Sequence, residues 1–99
     1  MKVTISSLHF KADVKLENFI REKTGKLANL FDGVLGCDVI LKLDAASNNE
    51  NKIAEIRLVI PGNDLFSKKQ AKTFEEAVDL SIDALKRQVK KHKEKLKGI

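Results

Sequence analysis

The chain predicts a single α+β domain in the order β-α-β-β-β-α, with a four-stranded sheet carrying both helices on one face. Three observations lead there. Apolar residues alternate with polar ones in four short segments, and recur at spacings of three and four in two longer ones. Turn residues fall between the segments: Asp32-Gly33, a polar stretch at 47–51, and Pro61-Gly62-Asn63-Asp64. Ninety-nine residues with 42% apolar content supply one core, enough to bury about two thirds of the unfolded surface.

Residues 2–8 place Val3, Ile5 and Ser7 on one side and Lys2, Thr4 and Ser6 on the other, the period of a half-buried strand. Asp13 is positioned to cap a helix whose apolar residues Leu16, Phe19, Ile20, Leu27, Leu30 and Phe31 share a face until Asp32-Gly33. Val39, Leu41 and Leu43 then alternate against Ile40, Lys42 and Asp44. After the polar turn, Ala54, Ile56, Leu58 and Ile60 repeat the alternation, so the two segments form a hairpin. A weaker strand runs from Leu65 to about Lys72, and its Lys68, Lys69 and Lys72 suit an exposed edge. The last helix begins near Thr73 or Phe74, with the stripe Phe74, Val78, Ile82, Leu85, Val89, His92, Leu96. It reaches ~36 Å at the helical rise, so its final turns should pass beyond the sheet. Three strands make an antiparallel meander, and the first joins them through a right-handed, parallel crossover.

Several function classes find no support. The longest apolar runs, Val39-Ile40-Leu41 and Leu58-Val59-Ile60, fall far short of the ~20 residues needed to cross a bilayer, and no apolar signal region follows Met1-Lys2. A cytoplasmic protein without membrane contact is expected. The sole cysteine, Cys37, forms no internal disulfide, and one Cys with two distant His residues offers no metal spacing, so it reads as a small buried apolar residue. His9 and His92 lie at opposite ends of the chain, and there is no P-loop or paired-carboxylate pattern, so neither catalysis nor a cofactor is expected. Asp79 and Asp83, spaced i,i+4 early in the last helix, read as charge partners of its N-terminus rather than metal ligands. Gly33-Val34-Leu35-Gly36 leads from a helix into a strand, unlike the loop of a KH domain, and reads as a turn. His92, on the buried stripe, reads as a packing residue.

The charge has an address. The formal net charge is +5, yet residues 86–97 (KRQVKKHKEKLK) hold seven Lys/Arg against Glu94, leaving 12 Lys/Arg against 13 Asp/Glu elsewhere. At 100° per residue, Lys86, Lys90, Lys93 and Lys97 form one flank, and Arg87, Lys91 and Lys95 form a second ridge. Cations at a helix C-terminus complement its dipole, but one or two suffice, and seven in close sequence repel one another. An anionic partner explains the density. The first helix adds Lys15, Arg21, Lys23 and Lys26; Glu17 and Glu22 dilute them, so alone they read equally well as a solvated face. Placed beside the second helix, they could flank one groove that follows phosphates. With no Trp, no Tyr and five Phe, mostly on core patterns, base stacking on aromatics is not expected, and shape and backbone recognition of folded RNA remains. Duplex DNA, an anionic membrane surface or an acidic protein partner would satisfy the same charges. A regulatory module binding an acidic protein is the alternative reading.

Two motifs carry a resemblance: Phe19-x-x-x-Lys23-x-x-Lys26-Leu27-x-x-x-Phe31-Asp32, and Ala77-Val78-Asp79-x-x-Ile82-Asp83-x-Leu85-x-Arg87-Gln88-x-x-Lys91-His92-Lys93-x-Lys95-Leu96-Lys97. Together they resemble the ribosome hibernation promoting factors (protein Y, or ribosome-associated inhibitor) over essentially the whole chain. The resemblance implies a dsRBD-like fold and a factor that binds the small ribosomal subunit and its rRNA in stationary phase or stress, occupying the mRNA and tRNA channel and silencing and protecting idle ribosomes. It implies RNA contacts by Lys23 and Lys26 on the first helix and by Lys86, Arg87, Lys90, Lys91, Lys93, Lys95 and Lys97 on the second. Lys23 lies close to the apolar stripe, its stem half-buried. Two departures bear on local contacts: Thr73-Phe74-Glu75-Glu76 stands where many relatives have an Asp, an apolar residue, Tyr and Ala, and Lys69 stands where a small residue is common. The chain ends after the second helix and so resembles the short members. A monomer is expected, and pairing of ribosomes would need a separate dimerising factor.

Overall fold

Each helix starts at a side-chain cap. Asp13 has extended backbone and its Oδ1 accepts the Leu16 N–H at 2.8 Å, satisfying a donor the helix leaves unpaired and opening α1, Val14–Ala28. Thr73 Oγ1 accepts the Glu76 N–H at 3.1 Å and opens α2, Phe74–Lys97, with Glu75 and Glu76 in its first turn. The computed structural model describes residues 1–46 and 49–97, with the side chains of α2 described as far as Glu94. Ser47 and Asn48 of the predicted turn, and the side chains of Lys95, Leu96 and Lys97, lie outside the described residues.

The strands are β1, Lys2–Ser7; β2, Gly36–Leu43; β3, Lys52–Val59; and β4, Leu65–Ala71. They form one sheet in the order β1-β2-β3-β4, with β1 parallel to β2 and the other pairs antiparallel. The sequence order and the parallel crossover are as expected, and the lysine-bearing β4 is an edge. The register aligns Ile5 with Val39, Val39 with Ile56, and Ile56 with Ser67, so the period-two faces coincide across all four strands. Cys37, Val39 and Leu41 of β2 and Ala54, Ile56 and Leu58 of β3 join Leu16, Ile20 and Leu27 of α1 and Ala77, Val78, Ile82, Leu85 and Val89 of α2 in one buried cluster. Cys37 is fully buried. Burial, with a smaller contribution from the Asp38 charge, pushes its thiol up to about 12, so it is a protonated core residue.

Three contacts fix α1 and the segments flanking it against α2. The rings of Phe10 and Phe74 stack at 4.8 Å, Lys23 Nζ meets Asp79 Oδ1 at 3.4 Å, and Phe31 and His92 meet edge to face at 5.2 Å. Residue numbers rise together along both segments, so α1 and α2 run side by side in the same sense. Two buried hydroxyls are satisfied: Ser81 Oγ donates to the Ala54 carbonyl of β3 at 3.0 Å, and Thr24 Oγ1 to the Ile20 carbonyl at 2.8 Å.

Two details differ from the sequence pattern. The α1 helix stops at Ala28, where the Asn29 N–H bonds back to the Gly25 carbonyl and the Leu30 N–H to the Leu27 carbonyl, and the chain turns through Gly33 at φ +97°. Leu30 therefore leaves the helical stripe and is 41% exposed. Leu43, expected inward, is exposed because it closes β2 at the end of the sheet, opposite Lys52. No described helix is long and apolar enough to cross a membrane.

Candidate nucleic-acid interface

The second half of α2 carries little of the core. Val89 is the last buried residue among its described side chains, and His92 is half-buried against Phe31. Around them Lys86, Arg87, Lys90, Lys91 and Lys93 are exposed. Lys86, Lys90 and Lys93 fall at i, i+4 and i+7 and so share one side of the helix. That side faces the end of α1, where the three lysines, Leu30 and Val89 line a cleft of about 310 Å³. Lys93 Nζ donates to the Leu30 carbonyl. Arg87 and Lys91 form a separate i,i+4 pair, and Gln88 Nε2 donates to the Phe66 carbonyl of β4 at 2.8 Å, tying the basic stretch to the sheet edge.

The ion pairs show how differently the basic residues are employed. Lys23 is bonded to Asp79 and lies 5.4 Å from the centre of the Phe19 ring. Lys26 pairs with Glu22 one turn back, at 3.3 Å, and Lys42 with Glu55 across the open sheet face. Lys86, Arg87, Lys90 and Lys91 take part in none of these pairs. A group of exposed cations without carboxylate partners raises the local potential by several kT and draws polyanions to it.

Residues 3–97 match the family model described as Sigma 54 modulation protein / S30EA ribosomal protein. The chain belongs to that family. A relative from Pseudomonas putida named ribosome hibernation promoting factor is 30% identical over 99 residues, covering all of this chain and 93% of the relative. One of the same name from Escherichia coli K12 is 28% identical over 97 residues, covering 98% of each. A solved ribosomal subunit interface protein from Coxiella burnetii superposes with a TM-score of 0.84 at 17% identity, covering 94% of this chain and 98% of that one; at that identity the likeness concerns the fold.

For this S30EA-family chain, the residues expected to meet RNA fall in different surroundings. Lys86, Lys90 and Lys93 converge on the cleft beside α1, and Arg87 and Lys91 stand apart from them on the same helix. Lys26 is well exposed and one turn on from Lys23 along α1. Lys23 is drawn into an interhelical ion pair, with its side chain 33% exposed; it holds α1 on α2. Lys95 and Lys97 have side chains outside the described residues. Leu30 and Gln88 were not expected to have contacts with the basic stretch and the sheet edge. Leu30 sat at the end of an apolar stripe, and the adjoining Asp32-Gly33 turn was the one signal that the stripe stops short of it.

Proposed function

We propose that the chain is a ribosome hibernation factor. It binds the small ribosomal subunit at the mRNA and tRNA channel through contacts with rRNA phosphates, and it inhibits translation and protects idle ribosomes in stationary phase or stress. It acts in the cytoplasm, as a monomer and without catalysis. The observation that carries the reading is the group Lys86, Arg87, Lys90 and Lys91, exposed and left out of every ion pair named above, on an otherwise charge-balanced member of the S30EA family. Lys93 adjoins this group, Lys26 adds an exposed cation on α1, Lys95 and Lys97 add charge to the same stretch of sequence, and Lys23 pairs with Asp79. Phosphate contacts of this kind position a protein on folded RNA and carry little sequence information.

Co-sedimentation with purified small subunits at low salt tests it directly. The expected result is stoichiometric association that excess mRNA or tRNA reduces. No association at low salt would end the proposal. A partner from a cell extract that stays bound after complete nuclease digestion of RNA would instead favour an acidic protein as the target.

A further inference from the structure

Along the side of α2 that faces the end of α1, the surface changes chemistry. Leu30, 41% exposed, supplies an apolar floor, with Val89 almost wholly covered beneath it at 2% exposure, while Lys86, Lys90 and Lys93 stand around it. Among the described residues no carboxylate lines this cleft. The Lys93 bond to the Leu30 carbonyl and the Phe31–His92 ring contact hold the two banks together. Phosphates alone need cations and N–H groups on an accessible surface; they do not need an apolar floor. The volume of about 310 Å³ sits at the low end of the ~300–1,000 Å³ range of clefts that take small molecules. The three lysines span ~10 Å along the helix at 1.5 Å per residue, a length suited to one nucleotide and its neighbouring phosphates.

We propose that this cleft seats one unstacked nucleotide of the bound RNA, its base against Leu30 and its flanking phosphates on Lys86, Lys90 and Lys93. The inference rests on the RNA reading above and adds to it a preference for an unpaired position. An extruded base presents a flat apolar face bordered by negative charge, and the cleft presents an apolar floor bordered by positive charge. An acidic protein segment offers the charge without the flat face. Aliphatic side chains make few directional bonds, so the seat selects an unstacked base without reading its identity, in keeping with a fold short of exposed aromatics.

Fluorescence titration of the full chain with two RNA hairpins tests this, one carrying a single bulged 2-aminopurine and the other the same base paired within the stem. The bulged hairpin should bind about 5-fold tighter, the low end of what stacking on an aromatic side chain contributes, because the seat is aliphatic, and its fluorescence should change on binding. Leu30→Ser, at an exposed position, should remove that preference while leaving thermal stability, affinity for the paired hairpin and its salt dependence unchanged. Equal affinity for the two hairpins, or a preference that survives Leu30→Ser, overturns the seat alone. Failure to bind either hairpin overturns the RNA reading of the ridge and the seat with it.

Discussion

The two halves of α2 use one helix for opposite purposes. From Phe74 to Leu85 the helix is built into the domain: Ala77, Val78, Ser81, Ile82 and Leu85 are buried, Ser81 bonds to β3, and Asp79 bonds to α1. From Lys86 to Glu94 only Val89 is buried, and the other side chains are charged or polar. The contrast explains how seven cations are tolerated in residues 86–97: packing upstream fixes the helix, so repulsion downstream is opposed by a core it does not disturb. Stability and binding should therefore respond to different substitutions.

The largest effect should come from the packed half. Leu85→Ala removes a fully buried side chain and should lower stability by ~2–5 kcal/mol in a urea titration, a large part of the ~5–15 kcal/mol typical of a domain. If it unfolds no more easily than the parent, the first half is not the anchor. The core beneath also contains Cys37, whose thiol is raised from 9.0 to about 12. Below pH 9 the thiol is protonated in both states and its contribution is fully present. As pH rises from 9 towards 12 the unfolded chain ionises first, so stability should be lost across that window. Comparing urea midpoints at pH 8 and pH 10 for the parent and Cys37→Ala isolates this slope from lysine titration, and an equal slope in both would contradict it. Ser81→Ala deletes the bond to Ala54 and should cost about 1 kcal/mol in the same titration; no change would show that the α2–β3 tie is held by packing alone.

Much of this contrast was legible in the sequence. The four-and-three spacing from Phe74 to Val89 located the buried stripe, and the charge count located the exposed block, because both depend on local periodicity. What periodicity could not supply were contacts between distant segments. Phe10 gave no sign that it stacks on Phe74, nothing in the periodicity paired Ser81 with Ala54 of β3, and Lys23 did not reveal its bond to Asp79. The end of α1 was misplaced by three residues because Leu30 and Phe31 continue the helical spacing after the backbone has turned. That same turn leaves Leu30 exposed beside Lys93, so the cleft became visible only with the fold.

The smallest expected change in stability is in the basic half. Replacing Lys86, Lys90 and Lys93 together with Glu should shift the unfolding free energy by no more than ~1 kcal/mol, since relief of repulsion offsets the poorer fit to the helix dipole. A loss comparable to Leu85→Ala would mean that these residues are structural.

The most direct measurement of the central claim is the salt dependence of small-subunit affinity for the parent chain and for the milder Lys86→Gln, Lys90→Gln, Lys93→Gln variant. If the exposed cations neutralise rRNA phosphates, log affinity for the parent falls linearly with log salt, by roughly 0.7–0.9 for each phosphate contacted. The variant should lose about two to three units of that slope. A flat parental response, or a variant with the parental slope, would contradict the account.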